Sequence, residues 1–208
     1  MQLIITLWLL SVVSLAQTDC ELRRSENNIF VYSCKMNSSR LKAIRANFSL
    51  PTTPSVLAGH LMNVGAYTEW QYNVIKTEVL EVISELEVIY RAEVKAPWPV
   101  SNRDLVVRLK IEQDPVTKVM TFTIISIPDY IPEYKGIVRV PKSEGKWVIT
   151  PKVDRLAIDY SFVVDPGGSI PSWLLNLSIA EGPHRTFSNL TNRIKSGVKV
   201  SPLERIRD

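Results

Sequence analysis

The sequence predicts an α+β fold in which a strongly curved antiparallel β-sheet wraps around a long C-terminal helix. Three observations carry this. Side chains alternate apolar and polar from Val74 through most of the chain, the pattern of a sheet with one wet face. The run Asp165-Pro166-Gly167-Gly168 then stops the alternation, as strand-breaking residues do. From Ser172 to about Ser196, apolar residues recur near helical spacing. At 208 residues the chain is long enough for one well-buried domain and short for two independent cores.

The first 16 residues are an uncharged apolar run ending in Ser14-Leu15-Ala16. Small residues three and one before a cut after Ala16 fit an export signal, and the run is short for a membrane span. The expected domain organisation is therefore a signal peptide over 1–16 and a single domain over 17–208, with a secreted or periplasmic location. Cys20 and Cys34 are the only cysteines. In an oxidising compartment a bridge between them ties an N-terminal segment to the first strand; the alternative is two unpaired thiols, one of them buried.

Ile29 to Met36 and Leu41 to Leu50 read as strands around an Asn-Ser-Ser turn. Thr53 and Pro54 open a short helix that puts Val56, Leu57, His60 and Leu61 on one face, and a second brief helix lies near Val64 to Tyr72. Glu85 to Ala96 forms a strand with Leu86, Val88, Tyr90, Ala92 and Val94 on one side. In the next strand Leu105, Val107 and Leu109 oppose Val106, Arg108 and Lys110. Lys118 to Ile127, Gly136 to Val140, Lys146 to Pro151 and Leu156 to Val164 complete the strands. In the final helix Gly182-Pro183 predicts a kink or a break.

Composition narrows the function. The net charge is +4 and the basic residues are scattered, which does not make a nucleic-acid footprint. There is no phosphate-binding glycine loop and no Gly-X-Ser-X-Gly elbow. Two cysteines and two histidines, His60 and His184, do not make a metal site, and no cofactor is expected. What remains is a surplus of apolar and aromatic side chains on the concave side of the sheet and on the last helix. They make either an ordinary core or a lined pocket for an apolar ligand.

The segments LKAIRANFSL, YTEWQYNVIKTEVLE, YRAEVKAPWPVSNRDLVVRLK, PDYIPEYKGIVRV, GKWVITP and DPGGSIPSWLLNLSIAEGPHRTFSNL, in this order, resemble the StAR-related lipid-transfer (START) domain family in a bacterial secreted branch. The resemblance covers nearly all of the chain after the apolar leader. It implies a helix-grip fold around a hydrophobic tunnel, and non-enzymatic binding or transfer of a lipid, fatty acid or sterol-like molecule. It also implies tunnel-facing Leu86, Val88, Tyr90, Ala92, Leu105, Val107 and Leu109. Trp98 would stand near the loops of the tunnel and Arg139 at a tunnel end. From the last helix Leu174, Leu177, Phe187 and Leu190 would form a lid, with Ile170 and Trp173 at its hinge. Sterol carriers of the family place an acidic and a basic side chain in the tunnel, where the matching positions here are Tyr90 and Leu109. That implies a more apolar ligand, such as a fatty acid or a lipid tail. Arg103 and Asp104 are expected to pair with each other or with nearby backbone.

A monomer is expected, with a transient membrane surface as a further partner. The competing function is an enzyme of the polyketide cyclase or hydrolase type, which predicts a buried polar cluster in the tunnel around Tyr90, His60 or Arg139. A third is an interaction module with a filled interior.

Overall fold

In a computed structural model, residues 19–36, 41–170 and 172–208 are described, the side chains of 172–178 and 180 excepted. The expected signal segment and the side chains of Trp173, Leu174 and Leu177 lie outside the described residues.

The strands are β1 (Cys20–Glu26), β2 (Ile29–Lys35), β3 (Lys42–Leu50), β4 (Val74–Ser84), β5 (Glu87–Val94), β6 (Arg103–Gln113), β7 (Met120–Ser126), β8 (Val138–Arg139), β9 (Lys142–Pro151) and β10 (Leu156–Asp165). Helices α1 (Pro54–Met62) and α2 (Tyr67–Trp70) separate β3 from β4, and α3 (Ser172–Lys195) ends the fold. Among the described residues the strands form one sheet, and all of its pairings are antiparallel except one. Its order is β1-β2-β3-β10-β9-β7-β6-β5-β4, and the short β8 pairs in parallel with the start of β6. Antiparallel hairpins with one polar face follow from the period-2 alternation. Pro54 at the start of α1 lacks the N–H that a first helical residue leaves unused.

The sequence reading did not include β1. Its CELRRSE run is mostly charged and lies at an exposed sheet edge, so burial leaves no alternation to read. Asn27 and Asn28, both with positive φ, form the two-residue turn that returns it to β2. Cys20 lies directly opposite Cys34 in that pairing, and the two are joined by a disulfide, which settles the open alternative.

The curvature has local causes. The β4–β5 pairing shifts register at three places, and such bulges bend and twist a strand. In β9 a Cβ on Gly145 would lie 3.2 Å from Phe162 Cδ2 and 3.5 Å from Ile124. A side chain there would have to displace the Phe162 ring, so the glycine lets β10 and β7 side chains close over β9.

The concave face is solid at one end and hollow at the other. Leu156 and Ile158 of β10 are buried, whereas Tyr160, Phe162 and Val164 on the same side are half-buried. The change repeats in β7, from buried Met120 and Phe122 to half-buried Ile124. At the solid end Phe187 of α3 stacks on Phe48 with centroids 4.5 Å apart and meets the edges of Trp147 and Tyr160. Leu57 and Leu61 of α1 and Leu190 of α3 are buried in the same cluster.

Of the kink or break expected in the last helix, the break is not observed: α3 runs from Ser172 to Lys195 with Pro183 inside it. Tertiary contacts hold the half beyond the proline. His184 Nε2 lies 3.2 Å from the Glu26 carbonyl, Asn189 Nδ2 donates to the Trp70 carbonyl at 3.0 Å, and Thr186 Oγ1 accepts from the Tyr72 N–H at 3.1 Å.

Candidate functional site

The hollow end of the sheet encloses a cavity of about 660 Å³, within the roughly 300–1,000 Å³ that small-molecule pockets occupy. Its walls come from alternate residues of the central strands. Tyr90 and Ala92 of β5, Leu105 and Val107 of β6, and Tyr160 and Phe162 of β10 all line it. Ile179 and Phe187 of α3 close one side, and α2 supplies Tyr67 and Trp70. The rim is formed by half-buried or exposed residues, among them Lys95, Pro97, Val100, Pro166 and Ile170.

The phenols in this wall are neutral donors and acceptors. Burial pushes the hydroxyls of Tyr67, Tyr90 and Tyr160 well above the ordinary phenol range, because an apolar surround penalises the charged form. The Tyr67 hydroxyl donates to the Leu61 carbonyl, and its ring meets that of Tyr90 edge-on at 5.5 Å.

The predicted site residues divide. Tyr90, Ala92, Leu105, Val107 and Phe187 line the cavity, as does Ile170. Val88, Leu109 and Leu190 point to the same side of the fold but are buried in the core cluster, beyond the cavity wall. Leu86 sits in the β4–β5 turn and packs against that cluster. Trp98 is 91% exposed, because the corner between β5 and β6 carries it past the strand ends into solvent. The corner is held by Asn102, whose side chain accepts from the Ala96 N–H at 3.2 Å and donates to Glu93 at 2.9 Å.

Arg139 is a second correction. It does not stand at a cavity end but on the convex face of the sheet, where it grips Asp104 through Nε at 2.8 Å and Nη2 at 3.1 Å. It also donates to the carbonyls of Pro128, Ile131 and Pro132, so the 128–136 loop covers this face of the sheet. Arg91 adds an Nε contact to Asp104 at 2.7 Å, with its guanidinium 4.2 Å from the Tyr134 ring centre. Burial raises the Asp104 carboxyl, but the hydrogen bonds from Arg139 and Arg91 outweigh it and hold the carboxyl below its ordinary value.

Arg103 and Asp104 therefore do not pair with each other, and of the two expected pairings Arg103 makes the one with nearby backbone, at the Ser101 carbonyl. Successive residues of a strand face opposite sides, so Asp104 joins the convex ion cluster and Arg103 lines the cavity. Sequence reasoning did not single out Arg103 as a cavity residue. The signal was its phase, two residues before Leu105 and four before Val107. Arg108, which a one-residue slip would have turned inward, stays outside and pairs with Glu87 at 3.0 Å. Of the three places expected for a buried polar cluster, only Arg139 has one, with Asp104 and Arg91, and it lies across the sheet from the cavity; Tyr90 lines the cavity, and His60 is buried on α1 outside the cavity lining.

The turn after β10 closes over the rim. Gly167 and Gly168 have φ of +66° and +58°, a left-handed conformation that side chains disfavour. A Cβ on Gly167 would lie 3.1 Å from Pro141 Cδ and 3.2 Å from the Arg139 carbonyl.

Comparison with known proteins adds the following. The START domain family model matches residues 6–196, a span that begins inside the apolar segment 1–16. A fragment of the STAR-related lipid transfer protein of Xanthomonas axonopodis is 31% identical with a TM-score of 0.78, covering 85% of this chain and 98% of the fragment. An uncharacterised Pseudomonas aeruginosa protein is 30% identical over 83% of this chain and 85% of its own length. Mouse phosphatidylcholine transfer protein is 29% identical over 62% of each chain. The human StAR-related lipid transfer protein 5 shares the fold at a TM-score of 0.77 with 15% identity, over 88% of this chain and 89% of that one.

Proposed function

The chain belongs to the START domain family, and from that premise we propose that it binds one hydrophobic molecule in the cavity and carries or presents it without chemical change. The observation that carries this reading is the hollow on the concave face, walled by Tyr90, Ala92, Leu105, Val107, Tyr160 and Phe162 and shut by α3. An apolar ligand there would replace contacts that a packed core supplies elsewhere. The named relatives from Xanthomonas and mouse are lipid and phosphatidylcholine transfer proteins, which supports a lipid. Delivery to a secreted or periplasmic location is part of the proposal. It rests on the N-terminal apolar segment and fits the Cys20–Cys34 disulfide. Contact with a membrane during loading also belongs to the reading.

Native mass spectrometry of the purified chain, followed by solvent extraction, tests it. A stoichiometric co-purified lipid, or lipid taken up from vesicles by the stripped protein, is the expected result. A chain that neither retains nor takes up any lipid overturns the reading, and conversion of a bound lipid to product replaces it with the enzymatic one.

A further inference from the structure

Three arginines of this fold are buried near the start of β6, and two of them share one carboxylate. Arg91 and Arg139 both hold Asp104 on the convex face. Arg103, 8% exposed, lines the cavity on the other face, and among the described residues its side chain has one hydrogen-bond partner, the Ser101 carbonyl. Its Nε has none. A buried cation without a counter-charge is costly, and burial accordingly lowers the pKa of this guanidinium.

The other charges of the wall do not meet this need. Glu181 lines the cavity, but its carboxylate is held by Arg24 and Arg185. Lys95 is an exposed residue on the rim and adds positive charge. Among the described residues, the side-chain polar atoms of the lining that are buried without a partner are Arg103 Nε, Trp70 Nε1 and Trp147 Nε1, and each is a donor. Gly168 lies over Arg103: a Cβ there would be 4.0 Å from Arg103 Nη2.

We propose that the cavity takes an amphiphile with an anionic head, a carboxylate or a phosphate, which Arg103 receives beneath the 165–168 turn while the tail fills the apolar walls. The proposal rests on the lipid-binding reading above and names the ligand class. A guanidinium is suited to the role because its fork of N–H groups matches two oxygens of a carboxylate or phosphate. The ligand thus supplies the counter-charge that the fold withholds from Arg103 and gives to Arg91 and Arg139.

The test compares probes with one tail and different heads, each below its critical micelle concentration: oleate, oleoyl lysophosphatidate and oleyl alcohol. They are titrated into the delipidated wild type, Arg103→Met and Arg103→Lys, with a fluorescent fatty-chain reporter of occupancy. The wild type is expected to prefer at least one anionic probe over oleyl alcohol tenfold or more, and which one separates a carboxylate from a phosphate head. Arg103→Met is expected to lose that preference while keeping its affinity for oleyl alcohol, which also reports an intact cavity. Arg103→Lys, retaining charge without the fork, should keep part of the preference. Equal binding of all three probes by the wild type, or an undiminished preference in Arg103→Met, overturns the assignment and leaves lipid binding standing. Binding of no probe by the wild type overturns both.

Discussion

Asp104 Oδ1 accepts from Arg139 Nε at 2.8 Å across the only parallel pairing in the described sheet, and the second oxygen accepts from Arg91 at 2.7 Å. All three side chains are almost fully buried. Removing the carboxylate leaves two buried cations uncompensated. Asp104→Ala is therefore expected to lower stability by roughly 3–5 kcal/mol, read from urea unfolding. Glu112→Ala, which breaks the exposed pair with Lys110, should cost no more than about 1 kcal/mol. A similar small loss in both variants would show that the convex cluster is not a stabilising centre.

The same carboxylate sets an acid limb. Its folded pKa is held below the unfolded value, which lies at about 3.9. Its contribution is thus full above that value and is lost as the pH falls through the folded pKa. The stability gap between wild type and Asp104→Ala should be constant from pH 7 to 5 and should shrink below about pH 4. Unfolding curves at pH 7, 5, 4 and 2.5 measure it, and a gap that widens with acid would contradict the sign.

Filling the cavity should separate binding from folding. Ala92 is buried and lines the wall opposite Leu105 in the β5–β6 pairing. Ala92→Trp projects a large ring into empty space, so ligand uptake should fall at least tenfold. The folding cost should stay within the roughly 1–3 kcal/mol typical of overpacking. Undiminished uptake in lipid-transfer assays would place the ligand elsewhere.

Gly167 and Gly136 both have positive φ, but their surroundings differ. Alanine at either position meets a backbone penalty of about 1–2 kcal/mol. At Gly167 the new methyl also presses on Pro141 and the Arg139 carbonyl, while at Gly136 nothing lies within 4 Å. Thermal unfolding should place Gly167→Ala below Gly136→Ala. Equal midpoints would mean that the turn yields without resistance.

The sequence made the central strands legible because their two faces meet different solvents. Alternation placed Tyr90, Ala92, Leu105 and Val107 on the concave side, where the structure has them. It could not say where along each strand the core ends and the hollow begins. That depends on how far α3 and the β10 side chains reach across the sheet, so Val88 and Leu109 share the phase of Tyr90 and Val107 but pack in solid core. Edge strand β1 escaped notice because exposure leaves no periodic trace. Arg139 was misplaced for another reason: the parallel pairing of β8 with β6 is made by residues far apart in the chain. Arg103 was overlooked because an arginine beside an aspartate suggests a pair, whereas strand geometry sends them to opposite sides.

Proline at position 183 has no amide hydrogen, so the ladder of the last helix lacks one rung, at the carbonyl of Ile179. Ile179, Glu181, Gly182 and Pro183 all touch the cavity. The segment beyond is bolted to the sheet and to α2 through His184, Phe187 and Asn189. The helix is thus continuous but short of one backbone hydrogen bond at the cavity wall. A rod flexes at least expense where a rung is already gone. Bending α3 at this wall would break one backbone hydrogen bond fewer than bending it elsewhere, with buried Ile179 and the Arg24–Glu181 pair holding the near side.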